Sequence, residues 1–157
     1  MIHSKKMLVI ALAIPIFALA ALTAYKKYVL SFGTEVVLPI TGYDPRDLLA
    51  GHYLIYRIDY GVENICAANL GQQTGYVCLE PKMFSFSEPD SCKKLIAGDC
   101  INGRFVAGIE KYYVPQEKAK DLEAQVQSKT ASIVLSLTRG GLAQVKDLLV
   151  DGQPWKR

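Results

Sequence analysis

Histidine occurs only twice in the 157 residues, and no Cys-x-x-Cys pair is present. The first absence leaves little imidazole chemistry. His3 precedes a long apolar run and His52 follows it, so a membrane between them keeps the two from sharing a site. The second absence argues against both a thioredoxin-like redox centre and a zinc knuckle. Basic surplus is also lacking. The formal net charge is +3, but Lys5, Lys6, Lys26 and Lys27 flank the apolar run. Setting those four aside leaves 14 basic residues against 15 acidic ones, a near-neutral body. A nucleic-acid binder concentrates Lys and Arg on its folded body, so nucleic acid is not an expected partner. The glycines form no phosphate loop, because Gly140-Gly141 has no Lys-Ser/Thr behind it. Internal repeats and low-complexity segments are absent as well.

What is present begins with residues 7–24, MLVIALAIPIFALAALTA, which carry no charge. At about 1.5 Å per residue this run spans about 27 Å, enough for a bilayer core. A spanning helix absorbs Pro15 as a kink, and Tyr25 and Tyr28 suit the membrane–water interface. The run exceeds a signal-peptide core of about 7–15 residues, and lysines follow it closely. An uncleaved signal anchor over residues 7–27 is therefore expected. Cleavage at the Ala18-Leu19-Ala20 exit is the alternative. The lysines on the two sides nearly balance, so the positive-inside rule decides little. Four cysteines in a small body suit an oxidising compartment. That places residues 1–6 in the cytoplasm and residues 34–157 in the periplasm, on a bacterial inner membrane.

The body reads as α+β, mostly antiparallel strands with one helix. TEVVLPI at 34–40 is a β-branched first strand, and TGYDP a turn. From Gly51 the chain alternates. Leu54, Tyr56, Ile58 and Tyr60 share one face, and Tyr53, Ile55, Arg57 and Asp59 the other. Residues 76–79 form a short strand ended by Pro81. Residues 94–97 form another, with Gly98-Asp99 as a turn. Residues 101–113 read as one long strand or two broken at Gly108. Pro115 opens a helix over 116–128, with Glu117 at the positive end of its dipole. Residues 132–138 alternate, Arg139-Gly140-Gly141 signals a hairpin, and residues 142–150 return as a strand rather than a helix.

Cys66, Cys78, Cys92 and Cys100 allow three disulfide pairings. Short loops cost least entropy, which favours Cys66–Cys78 with Cys92–Cys100. No metal site and no cofactor are indicated. His52 has no evident partner as a base. Asp44 and Asp47 pair more naturally with Arg46 or Arg57 in a turn than with each other in acid/base work. No catalytic residue is assigned.

Three stretches carry a resemblance: VLPITGYDPRDLLAGHY, FVAGIEKYYVPQEKAKDLE and GGLAQVKDLLVDG. Together they resemble the GDYXXLXY family of membrane-anchored bacterial proteins from about Val36 to Trp155. The motif region is Asp44, Pro45, Arg46, Asp47, Gly51, His52, Tyr53 and Tyr56. Gly51 and Tyr53 match the naming motif. His52 stands in place of its acid, Tyr56 in place of Leu and Ile58 in place of the last Tyr. The resemblance implies a periplasmic β-rich domain on one anchor, often encoded beside a polytopic membrane protein. It implies no established activity. PRDLLAGH also echoes type I signal peptidases, and Lys93-Lys94 through Gly98-Asp99 echoes their lysine box. Gly42-Tyr43 stands where that family has Ser-Met, and Thr41 is displaced, so a Ser/Lys acyl transfer has no nucleophile.

The function expected from the sequence is a single-pass membrane protein whose β domain binds a partner, most plausibly a polytopic inner-membrane protein. The interaction residues expected are Tyr53, Arg57, Asp59, Tyr112 and Tyr113, because exposed aromatics with Arg anchor interfaces. A signal-peptidase-like hydrolase, or an inactive relative of one, is the alternative.

Overall fold

A first helix, α1 (Ile2–Phe32), runs past both interfacial lysines and ends only at Gly33. The computed structural model describes residues 2–44, 53–66, 71–118, 122, 125 and 130–155. Within α1, Val9–Phe32 has the length and hydropathy to cross a membrane, and apart from its last turn, where Val29 is buried, it is not covered by the domain. The helix therefore extends five residues beyond the expected anchor boundary at residue 27. Nothing in residues 25–32 breaks a helix, and Gly33 stops it for a tertiary reason given below.

Two antiparallel sheets follow. The strands are β1 (Thr34–Asp44), β2 (Tyr53–Ile58), β3 (Gln73–Leu79), β4 (Lys82–Ser85), β5 (Leu95–Ile101), β6 (Arg104–Val106), β7 (Lys111–Tyr113), β8 (Ala131–Leu137), β9 (Ala143–Val150) and β10 (Gln153–Pro154). The larger sheet has the order β10-β9-β8-β1-β2-β7, and the smaller β4-β3-β5-β6. Register sets the inner face. Leu38 lies opposite Ile133 and Val36 opposite Leu135, and Leu54 lies opposite Tyr112. These side chains meet Val77, Leu79 and Ile96 of the small sheet in one core. The large sheet also curls. Trp155, just past β10, stacks edge-on against Tyr112 of β7, the strand at the opposite end of the order, with centroids 6.3 Å apart.

The fold class and the faces of β2 agree with the sequence reading. Leu54, Tyr56 and Tyr60 are buried, and Arg57 and Asp59 are exposed. The hairpin at 139–141 and the strand β9 also form as expected. Gly141 has φ +80° and its carbonyl accepts from the Ala97 N–H at 2.9 Å, so this turn latches the two sheets together.

Two readings are corrected and two are met in part. Gly98-Asp99 is not a turn but the middle of β5, held by the pairs Gly75–Gly98 and Thr74–Asp99. Residues 101–113 follow the two-strand reading, with β6 and β7 on either side of Gly108, but the stretch begins inside β5 and its turn. Asn102 (φ 51°) and Gly103 (φ 74°) form the β5–β6 hairpin, the primed-turn geometry an Asn-Gly pair favours. The turn expected from Thr41 is absorbed into β1, which continues to Asp44 through a register shift. Of the helix expected over 116–128, residues 116–118 make a 3-10 turn and Leu122 and Gln125 are helical. The remainder lies outside the described residues.

The disulfides are the clearest correction. Cys66 bonds Cys100 and Cys78 bonds Cys92, a nested pattern in place of two local loops. The register of β3 on β5 decides it. Gln73 lies opposite Cys100 and Cys78 opposite Leu95. Cys66 and Cys78 therefore belong to opposite ends of the same pair of strands, and cannot meet.

Candidate functional site

The apolar helix α1 meets the β domain through a short, tight junction. The Val29 carbonyl accepts from the Gly33 N–H at 2.9 Å and from the buried Ser136 hydroxyl at 2.6 Å. A Cβ on Gly33 would lie 2.1 Å from Ser136 Oγ and 2.7 Å from the Val29 oxygen. Glycine here is required by close approach, and the same approach ends the helix. Ser136 lies on the outward side of β8, yet the last turn of α1 covers it completely.

From this junction β1 runs away from the helix to Asp44. Gly42 lies eight residues beyond Thr34, about 27 Å along an extended strand. The segment 45–52, which connects β1 to β2, thus departs from the end of β1 remote from α1. Pro45, Arg46, Asp47, Gly51 and His52 lie outside the described residues. Their flanks are fixed: Asp44 pairs with Ile55, and Tyr53 pairs with Tyr113 of β7.

The motif positions that continue into β2 serve the core. Tyr56 is 1% exposed, its hydroxyl donates to the Ile109 carbonyl, and its N–H donates to the Glu110 carbonyl at 3.2 Å. These bonds hold the segment before β7 against β2. Burial, reinforced by Glu110, pushes the Tyr56 phenol well above its ordinary 10.0, and Tyr60 behaves alike. Ile58, at the last motif position, is half-buried and packs against the core.

The expected interaction residues divide. Arg57 and Tyr113 occupy the outward face, and Tyr113 is 68% exposed. Tyr53 holds the register position opposite Tyr113. Tyr112 is only 2% exposed and stacks on Trp155, so its ring belongs to the core and not to a surface. Alternation along β7 points adjacent tyrosines to opposite faces. Asp59 forms a turn, its Oδ1 accepting from the Gly61 N–H at 2.8 Å.

Of the peptidase echo, the lysine stretch and Gly42 lie within the described residues, and they do not meet. Lys94 donates to Glu80 at 2.5 Å, which holds the exposed Glu80 carboxyl below its usual range. Lys94 and Thr34 line one cleft at the helix junction, whereas Gly42 lies far along β1. The other echoed segment, residues 45–52, lies outside the described residues. Among the described residues, no three His, Cys, Asp or Glu side chains gather as metal ligands.

An apolar N-terminal helix built directly onto a disulfide-linked, antiparallel two-sheet domain defines a class: a β domain on a single candidate membrane anchor. The family model described as GDYXXLXY protein matches residues 15–148, from within α1 to β9. The chain belongs to that family. No curated protein and no solved structure matches it.

Sequence reading missed two features of this region. Ser136 gave no signal, because only the docked helix buries it. The basic cleft at the junction was also missed, because Arg139 is far in sequence from the Lys93-Lys94 pair.

Proposed function

We propose that this protein is a single-pass inner-membrane protein whose β domain lies in the periplasm and binds a polytopic membrane protein. It acts as an interaction module rather than as an enzyme. The single observation that carries this reading is the outward face of β2 and β7. There Arg57 and Tyr113 are exposed while the inward residues Leu54, Tyr56 and Tyr112 are buried. An exposed tyrosine and an arginine on one outward face, four strand positions apart along β2, offer the residue types typical of interface hot spots. The family motif enters the same end of the sheet through Tyr53. The two disulfides support an oxidising compartment for the domain.

The test is site-specific photocrosslinking in native membranes. A photoreactive residue in place of Tyr113 is expected to capture one membrane protein, and Arg57→Glu to abolish the adduct. The same probe in place of Lys146, on β9, is expected to capture nothing. Equal labelling from both positions, or none from Tyr113, would overturn the assignment.

A further inference from the structure

A second surface lies at the other end of the sheet. Where α1 meets the β domain, a cleft of about 790 Å³ opens between the helix, the start of β5 and the β8–β9 hairpin. Its lining includes Tyr28 and Phe32 of the helix, and Lys93, Lys94, Thr138 and Arg139 of the domain. Among the residues lining it there is no carboxylate. Lys94 is engaged by Glu80. Lys93 and Arg139 are exposed. The helix end does not use these cations, because the Val29 carbonyl is already taken by Ser136 and Gly33.

Depth identifies the occupant. Residues 7–24 fill a hydrocarbon core of about 30 Å, and Tyr28 to Phe32 continue for about 6–12 Å beyond it. That is headgroup depth and its outer margin. Tyr28 and Phe32 remain 62% and 76% exposed there, and rings at this level favour the interface. Basic side chains facing the same level attract anionic lipid.

We propose that this junction cleft binds the headgroup of an anionic phospholipid, with Lys93 and Arg139 holding the phosphate and Tyr28 and Phe32 flanking its acyl shoulder. The inference rests on α1 residing in a bilayer, but not on the partner proposed for Tyr113. A bound lipid fills the gap between helix and domain and fixes the height of the domain above the membrane.

The test uses the full chain, purified in detergent and equilibrated with equimolar phosphatidylglycerol and phosphatidylcholine, with retained lipid counted by native mass spectrometry. Retention of phosphatidylglycerol is expected to exceed that of phosphatidylcholine by about tenfold. Lys93→Glu with Arg139→Glu should bring the ratio near one, and the milder Lys93→Gln should lower it in the same direction. Arg104→Glu, at the start of β6 opposite the far end of β5, should leave it unchanged. Equal retention of the two lipids overturns the proposal. So does displacement by soluble glycerol phosphate, which would make the cleft a site for free phosphate. Carbonate extraction of the membranes separates the two failures. A chain that stays in the membrane without lipid preference loses only the cleft, whereas a chain that is extracted loses the anchor as well.

Discussion

Tyr56 and Tyr60 lie on the same face of one segment and differ in how their hydroxyls are treated. Tyr56 donates to Ile109, whereas the buried Tyr60 hydroxyl finds no hydrogen-bond partner among the described residues. Tyr60→Phe should therefore be neutral or stabilising by up to about 1 kcal/mol, because a desolvated hydroxyl is removed. Tyr56→Phe should destabilise by about 1–2 kcal/mol, because a buried carbonyl loses its donor. Urea titrations of the detergent-solubilised chain measure both. The pair also sets an alkaline limit. Their folded pKa values lie above the unfolded value of 10.0, so the neutral phenols stabilise the fold fully below pH 10.0. Above it the unfolded state loses protons that the folded state keeps, and stability falls as pH rises towards the folded values. Each phenol contributes a slope of at most about 1.4 kcal/mol per pH unit. Tyr60→Phe should make the decline above pH 10.0 shallower, and an unchanged slope would show that the phenol titrates freely. The alternation of Leu54, Tyr56 and Tyr60 was legible because a strand has period two. The fate of each hydroxyl was not, since Ile109 is 53 residues from Tyr56.

At the scale of elements, joints matter more than propensities. Gly33→Ala would press a methyl group against both Ser136 Oγ and the Val29 oxygen. The expected cost is about 1–3 kcal/mol, and the helix end should lift from β8. Ser136→Ala removes only the bond to Val29 and should cost about 1 kcal/mol. A disulfide trap or a spin-label distance between Val29 and β8 should lengthen in the first variant and not in the second. The disulfides make a sharper test. Peptide mapping without reduction should recover Cys66–Cys100 and Cys78–Cys92, and any Cys66–Cys78 peptide in a folded sample would contradict the β3–β5 register. In chain-entropy terms the 34-residue separation is worth about 3.8 kcal/mol and the 14-residue one about 3 kcal/mol, so Cys66→Ser should be the more damaging. Loop entropy favoured local pairing in the sequence, but the terms differ by less than 1 kcal/mol, and strand register easily overrides them. The β5–β6 hairpin was within reach of the sequence, since Asn102-Gly103 is the strongest short turn signal available.

Across the whole molecule, the two ends of the large sheet carry different surfaces. The helix-proximal end bears the basic cleft, and the remote end bears Tyr113, with Asp44 and Tyr53 at the same end of the strands. The proposed roles should therefore separate genetically. Arg57→Glu should abolish partner crosslinking without changing the phosphatidylglycerol ratio. Lys93→Glu with Arg139→Glu should do the reverse. A single variant at either end that removes both properties would show that the ends are coupled, or that one of the two assignments is wrong.

The apolar first helix, the inward face of β2, the closing β8–β9 hairpin and the family were all written in the sequence. Each depends on neighbours within about ten residues, where hydrophobic period and turn chemistry act directly. The helix stop at Gly33, the nested disulfides, the burial of Tyr112 and the clustering of Lys93 with Arg139 belong to tertiary structure alone. They arise when strands distant in sequence fall into register and a helix end docks on one of them. No local pattern encodes such contacts, because the residues that make them become neighbours only after the sheets have formed.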